Sequence, residues 1–315
     1  YADEATLCRA LAEAARITGM GLTLLPVLYE RAGFAQPALR ADQRRFAADV
    51  ARVLRLRDAV RGWQLPNITA GVAVHSLRAA RPASLRELAA ALQGLPHEDS
   101  GPIHIHIAEQ TAEVSDCLAG TGARPIEWLC RELPLDARWQ LVHATHTVPD
   151  EIAAVAASGA GVVICPGTEA NLGDGLIDLP RWLASPTPLS IGSDSQVIRS
   201  WPEELRWLEY GQRLALRQRN VAAEPGVQGS TAARLFDRMR AGGAAAAAWP
   251  CAGLQVGARA DLLVLDLQQP AFSGVPAPQL LDALVFAAPE RPFLRTLVAG
   301  RWAKAVDTAP AFAQA

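Results

Sequence analysis

The sequence predicts an α/β fold centred on a (β/α)8 TIM-type barrel, followed by a small β appendage. Three observations lead there. Short β-rich runs alternate with amphipathic helical patterns along most of the 315 residues. The runs are almost continuously apolar, as parallel strands covered on both faces must be. Polar side chains capable of chemistry stand at the carboxyl ends of successive runs, where a barrel gathers its site. An open doubly wound sheet would instead place its ligand contacts behind a glycine-rich first turn, and no G-x-G-x-x-G occurs here.

The predicted strands are GLTLLPVLY (21–29), GVAVHSL (71–77), IHIHIAE (103–109), WQLVHATH (139–146), GAGVVICP (159–166) and PLSIGSDS (188–195). Helical patterns separate them at 40–60, 84–95, 111–133 and 149–159. The last of these opens on Pro149 with Asp150 and Glu151 in its first turn and stops at Gly159, a matched start and stop signal. That makes six strand–helix units, two short of a closed barrel. The chain opens YADEATLCRALAEAARITG, already inside a helical pattern and without methionine, so the first units are expected to be missing.

Further helices are expected at 201–220 and from Thr231. The texture then changes. LQVGARADLLVLDL (254–267) and FLRTLVAGRWA (293–303) read as short strands with turn glycines, ahead of an alanine- and proline-rich tail. The expected division is a barrel over 1–250 and a β portion over 251–315, which the resemblance given below makes part of a small β-sandwich.

Composition narrows the function. Half the residues are hydrophobic, a fifth are charged and the net charge is −2, which gives no electrostatic case for nucleic acid or a membrane surface. Cys8, Cys117, Cys130, Cys165 and Cys251 are scattered, with no C-x-x-C pair, so a reducing cytoplasm is expected. No apolar run approaches a membrane span.

The chemistry concentrates at strand ends. Alternate residues of a strand share a face, so His104 and His106 point one way while Ile103, Ile105 and Ile107 point the other. With the isoleucines against helices, both histidines face the barrel interior and His106 lies nearer its mouth. Neutral imidazole is a zinc ligand, and Glu109 just beyond is placed to move protons; a pair of hydrogen-bonded core histidines is the plainer alternative. His143 ends the next run, with His146 assigned to the loop. Asp194 ends the last run, where a buried carboxylate needs a metal or a partner, or else caps the next helix. Together these residues point to metal-assisted hydrolysis.

H-I-A-E, V-H-A and G-S-D-S on successive strands resemble the amidohydrolase superfamily in its mononuclear deaminase branch. GARADLLVLDL resembles the segment that completes the sandwich of those enzymes. LTLLPVLYERAGF, HSLRA, PIHIHIAEQ, EVSDCLA, RWQLVHATH, TEANLGDG, GSDS and EELRWLEYGQRL are similar, more narrowly, to the formimidoylglutamate deiminases.

The resemblance implies one Zn2+ per subunit with His106 and Asp194 among its ligands, the latter also serving catalysis. It implies that Glu109 shuttles protons and that His143 holds the attacking water. His75, Arg78 and Tyr29 would contact a small carboxylate-bearing substrate, and a homodimer is expected. Arginine suits such a substrate because its planar fork grips carboxylates in pairs; taken alone, Arg78 also reads as a surface arginine and Tyr29 as a cap on the core. TEANLGDG is expected near the site and receives no step.

Two departures stand out. The family's further ligands come from an H-x-H pair on the first barrel strand, which has no counterpart upstream here, so weak zinc binding and slow turnover are expected. Gln196 follows GSDS, where relatives are expected to carry histidine. A nucleobase or triazine aminohydrolase, or a non-catalytic ligand-binding barrel, remains the alternative.

Overall fold

The apolar runs form the sheet that their hydrophobicity requires. In the computed structural model, which describes residues 3–95, 101–249, 253–289 and 292–303, six parallel strands lie in the order β2-β4-β5-β6-β7-β8. They span Val27–Leu28 (β2), Val72–Ser76 (β4), Ile103–Ile107 (β5), Trp139–His143 (β6), Gly161–Ile164 (β7) and Leu189–Ile191 (β8). A short parallel pair, β1 (Leu22–Leu24) with β3 (Ile68–Ala70), precedes β2 and β4. The predicted run 21–29 is thus two strands, broken at Leu25 and Pro26, where the proline has no N–H for a ladder.

The connecting helices are α1 (Thr6–Thr18), α2 (Val50–Gly62), α3 (Pro82–Gln93), α4 (Thr111–Thr121), α5 (Pro125–Glu132) and α6 (Pro149–Ser158). Two short ones follow, α7 (Pro166–Leu172) and α8 (Leu179–Ala184), then α9 (Trp201–Leu216), α10 (Thr231–Ala246) and α11 (Leu280–Phe286). Local signals set their ends. Asp49 accepts the Arg52 N–H at 2.8 Å to cap α2, and Ser230 accepts the Ala233 N–H at 3.1 Å to cap α10. In α6, Glu151 reaches back to the Val148 N–H at 3.0 Å, and Gly159 closes the helix in the left-handed region.

Strand β5 shows how the core orients the site. Ile103, Ile105 and Ile107 are fully buried in one apolar cluster with Leu85, Leu88 and Leu92 of α3 and Ile126 and Leu129 of α5. His104 and His106 therefore take the opposite, inner face. On the far side of the sheet, α10 packs so closely on β8 that a Cβ on Gly242 would stand 2.0 Å from the Leu189 carbonyl oxygen.

The C-terminal part holds a three-stranded antiparallel sheet of β9 (Leu262–Leu265), β10 (Phe293–Val298) and β11 (Arg301–Trp302). Ala299 and Gly300, both with positive φ, make the two-residue hairpin between the last two strands. The strand predicted over 254–267 is confined to β9, because the residues before it form turns around Gly257. Trp201 of α9 stacks on Phe293 at 6.4 Å. The predicted boundary at 250/251 lies outside the described residues, as does Cys251; Cys8, Cys117, Cys130 and Cys165 are free thiols. Among the described residues no helix is long and apolar enough to cross a membrane.

Candidate active site

The strands that deliver the candidate residues leave the sheet abruptly. Ala108, His143, Ala144, Asp194 and Gln196 all have φ between 47° and 73°, a left-handed backbone that non-glycine residues adopt at a cost. These turns lift the side chains at the carboxyl ends of β5, β6 and β8, beside those that end β4. There they surround a cavity of about 320 Å³ lined by His75, Arg78, His106, Glu109, His143 and Asp194, with Glu113 and Leu172 beside them.

Four rings form a row across the mouth. Tyr29 meets His75 edge-on at 4.6 Å, His75 meets His106 at 5.3 Å, and His106 stacks on His143 at 5.5 Å. Burial pushes the pKa of His75 down to about 4, helped by nearby His106 and Arg78. Burial likewise lowers that of His106. Both are neutral near pH 7.

His106 Nδ1 donates to the His75 carbonyl oxygen at 2.7 Å, which leaves its Nε2 lone pair free. His104, deeper on the same face, is committed instead to the Ala246 carbonyl at 2.8 Å. The Asp194 carboxylate has no hydrogen-bond or ion-pair partner among the described residues. It is exposed rather than buried as the sequence suggests, because β8 ends at Ile191 and the chain climbs three residues further to the rim. Nor does it cap α9, whose first residue is Trp201. One neutral imidazole and one uncommitted carboxylate on the same cavity fit a divalent cation such as zinc.

Glu109 and His143 pair across the floor, Oε1 to Nε2, at 3.5 Å. Burial raises the pKa of Glu109. Burial opposes charge on His143, yet the hydrogen bond to Glu169 and the charges of Glu109 and Asp194 outweigh it and raise that pKa too. Raised together, the two shifts favour a proton held within the pair.

Arg78 is exposed at the rim and makes no hydrogen bond or ion pair among the described residues. Its guanidinium is available to an incoming anion. Tyr29 does not line the cavity. Its ring backs His75, and its hydroxyl accepts from Gln43 Nε2 at 3.0 Å. His146 belongs to the loop, donating to the Asp174 carbonyl at 2.8 Å.

Two residues escaped the sequence reading. Glu113 accepts the Glu109 N–H at 3.0 Å and holds the turn at Ala108; burial lifts its pKa to about 6. Glu169, inside TEANLGDG, is 4% exposed and bonds His143 Nδ1 at 3.2 Å. Donor atoms of His143, Cys165 and Glu169 lie within 4.8 Å of one another.

A model of the amidohydrolase family matches residues 1–303. The chain belongs to the amidohydrolase family. It is 46% identical over 303 residues to the formimidoylglutamate deiminase of Pseudomonas aeruginosa, an alignment covering 96% of this chain and 66% of that protein. An amidohydrolase from Brucella melitensis superposes with a TM-score of 0.86 at 41% identity, over 96% of this chain and 65% of that one. A zinc-bound adenosine deaminase from Xanthomonas campestris shares the fold with a TM-score of 0.79 at 24% identity, over 96% and 66% of the two chains. This amidohydrolase-family chain thus spans about two thirds of the length of these relatives.

Proposed function

We propose that the protein to which this sequence belongs hydrolyses N-formimino-L-glutamate to N-formyl-L-glutamate and ammonia, a step of histidine degradation, with one zinc ion per subunit. The observation that carries the reading is Arg78, unpartnered at the rim of the cavity whose floor holds the Glu109–His143 pair. A substrate that carries carboxylates at one end and a reacting amidine at the other spans the two.

His106 and Asp194 would hold the metal, which when bound supplies Lewis acidity to the reaction. Arg78 grips a carboxylate of the substrate, and neutral His75 offers a hydrogen bond beside it. Glu109 takes a proton from water as the C–O bond forms and passes it to the imino nitrogen. It then carries the remaining hydroxyl proton to the same nitrogen as the C–N bond breaks, so that ammonia leaves and the formyl C=O forms. His143 steadies the water on the opposite side. Tyr29 acts through His75, against which its ring is packed.

The protein is placed in the cytoplasm as a homodimer. Trp207 and Leu214 of α9, with Leu176, leave an exposed apolar face that supports self-association, and sedimentation equilibrium checks it. The activity is tested by ammonia release from N-formimino-L-glutamate against aminopurine and chlorotriazine substrates, with zinc analysed alongside. Turnover of a nucleobase or triazine with none of formiminoglutamate overturns the reading.

A further inference from the structure

We propose that Glu169 is a positioning residue that holds His143 as its Nδ1–H tautomer and so presents the Nε2 lone pair to the cavity. The inference rests on the proposed function only in giving His143 a task; the location of the proton stands on the contacts of a Glu169 carboxylate.

Glu169 lies in the first turn of α7, and its Oε1 reaches back to accept the Cys165 N–H at 2.9 Å. A backbone N–H can only donate, so Oε1 accepts there, and as a carboxylate it has no hydrogen to offer a second partner. The same atom stands 3.2 Å from His143 Nδ1. Opposite the Glu169 carboxylate, Nδ1 carries the hydrogen, and in the neutral ring Nε2 is left bare.

The ring has little freedom to choose otherwise. His143 is 1% exposed, its backbone is left-handed at φ 73°, and it lies 22° from parallel against His106. Its other edge faces Glu109 Oε1 at 3.5 Å. The bond from Glu169 thus decides whether the cavity meets a lone pair or an N–H. The nearer carboxylate oxygen of Glu169 is already engaged by two partners, the Cys165 N–H and His143 Nδ1.

The test is 15N NMR of ring-labelled histidine in the purified chain, at a pH above the raised pKa of His143, with the signal assigned through His143→Asn. The wild type is expected to show a protonated Nδ1 and a bare Nε2. Glu169→Leu moves the proton to Nε2, whereas Glu169→Gln keeps an oxygen acceptor and preserves the Nδ1–H form. A merely structural role would disturb other histidine signals alike and would not be rescued by glutamine. An Nε2–H tautomer in the wild type, or an unchanged His143 signal in folded Glu169→Leu, overturns the proposal. If Glu169→Leu does not fold, the wild-type spectrum alone still decides. In protein that turns over substrate, Glu169→Leu lowers kcat about 10- to 100-fold, as loss of a ligand-orienting partner does, and Glu169→Gln recovers most of it. An Nδ1–H His143 in a protein inert toward formiminoglutamate overturns the deiminase reading and leaves the role of Glu169 standing.

Discussion

Glu109 Oε1 and His143 Nε2 face each other at 3.5 Å from the ends of adjacent strands, each with its pKa raised. Their register explains the contact: Ile107 pairs with His143 in the sheet, and the left-handed turn at Ala108 swings Glu109 back over that position. The pair is a product of strand pairing plus one unusual backbone angle.

Glu109→Gln removes the proton carrier while keeping its shape. Ammonia release is expected to fall by about 10²–10⁴-fold, the usual worth of a general acid–base group. Metal content, measured by plasma emission on the same samples, is expected to be unchanged.

Arg78→Met should leave the melting temperature unaltered, because the arginine is exposed and bonds nothing among the described residues. KM for formiminoglutamate is expected to rise about 10- to 100-fold, corresponding to one lost charged hydrogen-bond contact. A variant with unchanged KM would remove the arginine from substrate binding.

Glu204 supplies a pH-dependent test of the fold. It is 2% exposed, its Oε2 accepts the Gly167 N–H at 2.7 Å, and its Oε1 is buried without a partner. Burial raises its pKa from 4.5 to about 7. The folded protein therefore binds the proton more tightly than the unfolded chain, and this group costs stability as pH rises from 4.5 through about 7. Glu204→Gln keeps the acceptor and removes the charge. Its melting temperature should exceed the wild type's at pH 8, by roughly 2–4 °C for each kcal/mol relieved, with the gap closing toward pH 4.5.

Gly242→Ala is expected to destabilise the protein by about 1–3 kcal/mol or more, since the added carbon collides with backbone that cannot rotate away. The colliding atoms belong to Leu189 on β8, so the strand that leads to Asp194 must move. Urea unfolding measures the loss, and a weaker metal affinity in the folded fraction would accompany it.

Much of this architecture was legible because periodicity is a local signal. The alternation of isoleucine and histidine in 103–107 told both which face is core and which is site. Strand ends announced His106, Glu109 and His143 for the same reason. Contacts between distant elements left no such trace. Glu169 reaches His143 across 26 residues of sequence, so TEANLGDG could be expected near the site without a step for any of its residues. The exposure of Asp194 depended on where β8 stops, and Tyr29 was turned away by a partner, Gln43, that no pattern linked to it.

The left-handed residues at the cavity mouth have a practical consequence for anyone seeking a hardier version of this protein. Ala108 and Ala144 are obvious places to install glycine, which would relieve roughly 1–2 kcal/mol of local strain at each. Those same two positions are the hinges from which Glu109 and His143 hang. Relaxing them would trade a fixed catalytic gap for a wandering one, so selection for heat tolerance alone should drive this molecule toward robust inactivity.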